Sequence, residues 1–158
     1  MNREIRRKDR ALPEDEAYRI LAQGEDGVLA TWGGDGYPYA VPMNHVLEGG
    51  ALYLHCASAG HRLDNLAHCD KVSYCVVTDR DVVPAELSTD YRSAIVFGSA
   101  VRVEEPEEKR RGLLALVRRF APGHLEAGLQ SIETHFGHVT VLRVDIHRIT
   151  GKARKKTG

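Results

Sequence analysis

Two glycine-rich turns, Gly33-Gly34-Asp35-Gly36 and Glu48-Gly49-Gly50, separate three short runs of β-forming residues, and this spacing constrains the fold more than any other feature. Residues that tolerate positive φ make tight hairpins, whereas parallel strands need crossovers of about a dozen residues. The runs at 28–32, 37–47 and 51–56 therefore return antiparallel to one another. The middle run contains Pro38 and Pro42, which lack backbone donors, so it needs an edge, a bulge or a ligand beside it.

Three more strands follow. The run 71–78 is apolar on both faces, as in a buried barrel wall. The run 91–103 carries Gly98 at its middle, where a bulge or barrel corner bends it. In 138–149 the apolar phase shifts from Val139 and Val141 to Val144 and Ile146, which predicts a second bulge. Residues 79–90, with Pro84, read as a polar loop. Helices are predicted from Pro13 to Gly24, over 58–68, over 106–120 with Leu113, Leu114, Leu116 and Val117 on one face, and over 125–136. Six strands in hairpin order with flanking helices make an α+β antiparallel barrel. At 158 residues the chain reads as a single domain, with a basic N-terminal arm at 1–10 and a basic C-terminal tail at 150–158.

Charge and composition exclude several classes. Lysine and arginine total 22 and balance 22 aspartates and glutamates, so no net field recruits nucleic acid or anionic lipid. No apolar run approaches the roughly 18 residues of a membrane span. Three cysteines, Cys56, Cys69 and Cys75, have no framework spacing and are expected to be reduced thiols of a cytoplasmic protein. Neither G-x-G-x-x-G nor G-x-x-x-x-G-K-[ST] occurs, so the Rossmann and P-loop routes to nucleotide binding are closed.

The segment from Leu54 to Asn65 carries the most chemistry. A strand ends at His55-Cys56, small residues make a close turn, and a helix starts with His61 and Arg62 in its first turn. Unpaired amides, the helix dipole and a guanidinium fork make such a place a phosphate site. An arginine that only solvates the helix surface is the plainer alternative.

Leu29-Ala30-Thr31, Asp35-Gly36-Tyr37-Pro38, Val41-Pro42-Met43-Asn44, His55-Cys56-Ala57 and Gly60-His61-Arg62-Leu63-Asp64-Asn65 occur in that order. With Val83-Pro84, Tyr91 to Gly98 and Thr150 to Lys155, they resemble the FMN-binding split barrel, and most closely the pyridoxamine 5′-phosphate oxidase-like proteins that include the Nim-type 5-nitroimidazole resistance proteins. The resemblance implies a homodimer of six-stranded split barrels with FMN at the subunit interface. It implies that Val41, Pro42, Met43 and Asn44 lie along the isoalloxazine, that His55 and Cys56 end the neighbouring strand, that His61 and Arg62 bind the phosphate, and that the partner subunit's Ser93 approaches the site. Oxidases of the family commonly carry Arg or Lys where this chain has His61. Their C-terminal Arg-x-His signature is replaced here by Ile149-Thr150-Gly151-Lys152.

The function this implies is an FMN-dependent oxidoreductase that reduces a small molecule, nitroaromatic in the Nim-type case, with NAD(P)H as electron donor. The alternatives are a pyridoxamine phosphate oxidase-like enzyme for another small substrate, such as a vitamer or deazaflavin, and a non-catalytic flavin or haem protein with His45, His55 or His61 as axial ligand. No metal site is expected, because His55 and Cys56 on one strand point to opposite faces. Cys56 and Cys75 read as small buried hydrophobes rather than nucleophiles. Tyr37 and Tyr39 either line the pocket or pack the hairpin.

Overall fold

The computed structural model describes residues 4–154. Arg3 of the basic arm and Lys155 and Lys156 of the basic tail lie outside the described residues. In chain order the elements are β1 (Ala11–Leu12), α1 (Glu14–Gln23), β2 (Asp26–Trp32), β3 (Pro38–Asn44), β4 (Val46–Glu48), β5 (Ala51–Ala57), α2 (His61–His68), β6 (Lys71–Val83), β7 (Ser88–Arg102), α3 (Pro106–Phe120), α4 (Leu125–His135) and β8 (Val139–Arg154).

Seven strands lie on one hydrogen-bonded path, β3-β2-β6-β7-β8-β5-β4, and the short β1 pairs beside it with β8. All pairings are antiparallel. The two ends of this path, β3 and β4, are separated in the chain by His45 alone. A sheet whose two edges meet at one residue must curl on itself, and the result is an antiparallel split barrel. The strand expected over 37–47 is thus two strands: β3 pairs with β2, and β4 pairs with β5. The expected count of six strands becomes seven on the main path. Pro38 and Pro42 sit on β3, which is an edge strand, as their missing donors require.

His45 is fully buried at this corner. Its Nε2 donates to the Leu21 carbonyl at 2.7 Å, and its Nδ1 lies 3.0 Å from the Tyr74 hydroxyl, which donates to the Met43 carbonyl at 2.6 Å. The ring of Tyr74 meets the imidazole edge-on with centroids 5.0 Å apart. One side chain therefore ties the corner to α1 and to β6.

Two apolar cores lie on opposite faces of the sheet. Inside the barrel, Ala17, Ile20 and Leu21 of α1 pack against Leu29, Leu54, Tyr74, Val96 and Leu142. Outside, Leu113 and Leu116 of α3 and Ile132 of α4 pack on Val46, Tyr53 and Val141. Tyr53 lies between Leu52 and Leu54, and Val141 precedes Leu142, so β5 and β8 serve both cores by simple alternation.

The bulge predicted at Gly98 is present, whereas the one expected where the apolar phase of 138–149 shifts is not: β8 pairs in unbroken register from Val139 to Ile146, and the phase changes because Val141 serves the outer core and Val144 the inner one. Phe97 pairs with Arg148 and Gly98 with Ile146, which leaves His147 of β8 as the extra residue. The expected loop over 79–90 is instead a hairpin extension of β6 and β7, interrupted at Thr78/Asp81 and turned through a short helical turn at Pro84–Glu86. Its polar residues do not need a core, because the ladder itself satisfies the backbone. Residues 150–154 of the expected tail belong to β8: Lys152 pairs with Ser93, and Arg154 forms ion pairs with Asp90 and Glu86. The long β7 supplies the edge that keeps these residues extended. The helix expected from residue 58 begins at His61.

Burial holds the His45 imidazole below its usual range of protonation, against the pull of its bond to Leu21. With the folded value depressed, the unfolded chain takes up the proton first, so stability is full above pH 6.5, the ordinary value, and is lost as pH falls. Urea unfolding from about pH 8 to 5 should show a steeper loss in the native protein than in His45→Gln. Parallel profiles would contradict this role for His45.

Candidate functional site

At the end of β5, Ala57, Ser58 and Ala59 lead through Gly60 into α2. Gly60 has φ 129° and ψ 170°, a conformation that only glycine adopts without strain. Its carbonyl accepts from the Leu63 amide at 2.8 Å and the Asp64 amide at 3.2 Å. No side chain caps this helix, so the His61 and Arg62 amides are left as donors at the positive end of the dipole. Asn65 anchors the helix from beneath: it is 3% exposed, and its Nδ2 donates to Thr31 Oγ1 at 3.0 Å.

A cleft of about 130 Å³ opens at this turn, lined by Tyr39, Cys56, Gly60, His61, Arg62 and Leu63. The imidazole of His61 lies against the Tyr39 ring at 4.3 Å between centroids, and its Nε2 is 3.7 Å from the Asp35 carboxylate. Arg62 is half-buried. Its Nε is buried without a hydrogen-bond partner, and no carboxylate pairs with its guanidinium among the described residues. Leaving such a donor unsatisfied costs about 1–3 kcal/mol, and an anion in the cleft removes that cost. Thr140, which pairs with Cys56 across β8 and β5, also has a buried hydroxyl without a partner.

Burial pushes the Cys56 thiol above its ordinary range, and the Arg62 guanidinium beside it offsets only part of the rise. Burial alone does the same to Cys75. Both are therefore neutral thiols at physiological pH, poorly suited to nucleophilic attack.

A larger cavity of about 340 Å³ lies on the other face of β5, between the sheet and the α3–α4 pair, and Asn44 and His55 contribute to it. The helices bounding it are held together by an Arg110–Glu133 ion pair, by Lys109 Nζ donating to the Phe136 carbonyl at 2.6 Å, and by both cations over the Phe136 ring.

The structure thus divides the residues that the sequence groups together. Cys56, His61 and Arg62 share the small cleft, and Tyr39 joins them. Asn44 and His55 face the larger cavity. Met43 is buried in the inner core and Val41 packs against it, whereas Pro42 is exposed on the β3 edge. Ser93 lies on β7, where its hydroxyl donates to the Lys152 carbonyl at 3.3 Å. His45 has both ring nitrogens engaged in the core, which leaves neither free for an axial bond. His55 and Cys56 face opposite sides of β5, and no group of three or more His, Cys, Asp or Glu side chains converges among the described residues. Sequence reasoning missed the α3–α4 cavity. Its one signal is that the apolar face of α3 runs on to Phe120, which lines the cavity and remains 39% exposed.

Fold and cleft together define a split-barrel protein with unsatisfied hydrogen-bond donors at the start of α2. The chain belongs to the pyridoxamine 5′-phosphate oxidase family, whose model matches residues 13–153. Among solved structures, a conserved hypothetical protein of Mycobacterium tuberculosis is similar at 20% identity over 98% of each chain, with TM-score 0.81. A protein of Bacteroides thetaiotaomicron assigned provisionally to 5-nitroimidazole antibiotic resistance is similar at 24% identity, over 90% of this chain and 86% of that one, with TM-score 0.73. An FAD- and haem-binding protein of Mycobacterium smegmatis is similar at 24% identity, over 90% and 72%, with TM-score 0.75. No curated protein matches this chain significantly.

The turn makes a test of its own. Gly60→Ala places a Cβ in open space but forces a non-glycine residue to φ 129°, which costs about 1–3 kcal/mol. Calorimetry should register a lower melting temperature, and an unchanged one would mean the turn relaxes freely.

Proposed function

We propose that the protein binds FMN and works as a flavin-dependent oxidoreductase on a small aromatic molecule. The observation that carries this reading is the half-buried Arg62, whose Nε has no partner, beside two free amides at an uncapped helix start. These donors suit a phosphate monoester. Family membership and the flavin-binding relative support the flavin as the group to which that phosphate belongs.

In this reading Arg62 and the α2 amides hold the phosphate. His61, stacked on Tyr39 and facing Asp35, closes one side of the cleft. Val41, Pro42, Met43 and Asn44 on the β3 edge lie along the ring in this reading, with the Met43 carbonyl already taken by Tyr74, and Cys56 stays a neutral wall. When bound, the flavin supplies hydride and one-electron chemistry; the protein orients it and limits access to it. NAD(P)H is the proposed donor, a nitroaromatic the proposed acceptor, and the cytoplasm, where these thiols stay reduced, the proposed compartment. No helix among the described residues is long and apolar enough to cross a membrane.

A homodimer is part of the proposal. Val28, Cys75 and Ile95 form one row across β2, β6 and β7, and Val28, Trp32, Val77 and Ile95 leave 40%, 55%, 52% and 37% of their surfaces exposed. An apolar sheet face of this kind is suited to a second copy, from which the partner subunit's Ser93 would approach the flavin. Analytical ultracentrifugation should find a dimer that Trp32→Glu weakens. A monodisperse native monomer that still binds FMN tightly would remove the interface model.

Arg62→Ala should weaken FMN binding about 10- to 100-fold, the worth of a charge-assisted hydrogen bond, and leave riboflavin binding nearly unchanged. Isothermal titration with the two ligands measures this. Equal losses for both would mean that Arg62 supports the fold or the ring and not the phosphate.

A further inference from the structure

We propose that the cavity between the sheet and the α3–α4 pair is a binding site for a neutral, flat aromatic molecule with a hydrogen-bonding substituent, and that it discriminates against phosphorylated compounds. Its volume, about 340 Å³, falls in the range of sites for small organic ligands. The walls are chiefly apolar side chains of α3 and α4, and the polar groups among them are Asn44, His55, Ser131 and His135. None of the lining residues is Lys, Arg, Asp or Glu. An anionic group there would find no fixed cation to pair with, whereas the apolar walls favour a neutral ring. The small cleft on the other face of β5 has the opposite character, because it holds Arg62.

The polar groups are placed to orient a ring. His135 Nδ1 lies 3.0 Å from the Ser131 carbonyl, which can only accept, so Nδ1 carries the proton and Nε2 is the free ring nitrogen. His55 makes no hydrogen bond among the described residues. His135 Nε2 can then only accept, whereas the ring N–H of His55 is available to donate to an acceptor such as a nitro group, and both imidazoles border the apolar space. Phe120, 39% exposed, supplies an aromatic wall. His55 and Cys56 are consecutive and face opposite sides, so the two cavities adjoin the same end of β5. That the aromatic ligand is the molecule reduced by the flavin rests on the function proposed above, whereas its binding does not.

The test is titration of the full-length protein, with and without FMN, using nitrobenzene as the neutral probe and pyridoxal 5′-phosphate as the anionic one. Ser131→Phe fills the cavity from the exposed side of α4. It should weaken nitrobenzene binding by about tenfold or more while leaving FMN affinity and any pyridoxal 5′-phosphate binding unchanged. On the native protein, nitrobenzene should shift the ring resonances of His55 and His135, a result that needs no variant and decides the matter if Ser131→Phe does not fold. Nitrobenzene binding that leaves both histidines unshifted would overturn the proposal, as would no binding. Tighter pyridoxal 5′-phosphate binding that Ser131→Phe abolishes would overturn its neutral-ligand part. Nitrobenzene bound at the histidines by a protein indifferent to FMN would leave this site standing and refute the flavin reading alone.

Discussion

The architecture depends on a single buried imidazole. The two ends of the seven-strand path are joined through His45, and this residue bonds α1 through Leu21 and contacts β6 through Tyr74. Because β3 leaves the corner with β2 while β4 leaves it with β5, the two parts of one run diverge. The opening between β3 and β5 is the split of the barrel, and both cavities border these strands: Tyr39 and Cys56 line one, Asn44 and His55 the other. A buried polar side chain of this kind is tolerated because it is hydrogen-bonded, and it fixes one geometry where apolar packing alone would permit several.

Strand alternation then distributes the chemistry. With a period of two, His55 and Cys56 cannot face the same side, and neither can Met43 and Asn44. The resemblance treats these neighbours as one flavin-binding stretch, but their side chains serve two environments. One is a small cleft in which the Arg62 guanidinium lies beside the thiol of Cys56 with its Nε unpartnered. The other is an apolar cavity rimmed by uncharged polar groups. A cofactor with a phosphate at one end and a substrate without one would find this separation suitable, since each charge state meets a site that can satisfy it.

Much of the fold was legible in the sequence. The Gly49-Gly50 hairpin, the bulge at Gly98, the amphipathic α3 and the edge character of β3 follow from glycines, apolar periodicity and missing proline donors, all of which are local, whereas the phase shift in 138–149 marks a strand shared by two cores and not a second bulge. The partner switch at His45 was not legible, because the run over 37–47 shows no break in β propensity and the cause lies in Leu21 and Tyr74, 24 and 29 residues away. The hairpin extension beyond Thr78 was hidden for a different reason: exposed strands need no apolar pattern. At the site, the local pairing of His61 with Arg62 was visible, whereas the α3–α4 cavity was not, since it combines β3, β5, α3 and α4 from distant parts of the chain.

The phosphorus-31 resonance of FMN mixed with the protein tests the central claim most directly. Free phosphate monoesters take up their second proton near pH 6. If the Arg62 guanidinium and the α2 amides hold the phosphate, the bound resonance should be displaced from that of free FMN and its titration moved to lower pH, because a cation favours the dianion. A bound flavin whose phosphate titrates as it does in free solution would contradict the account.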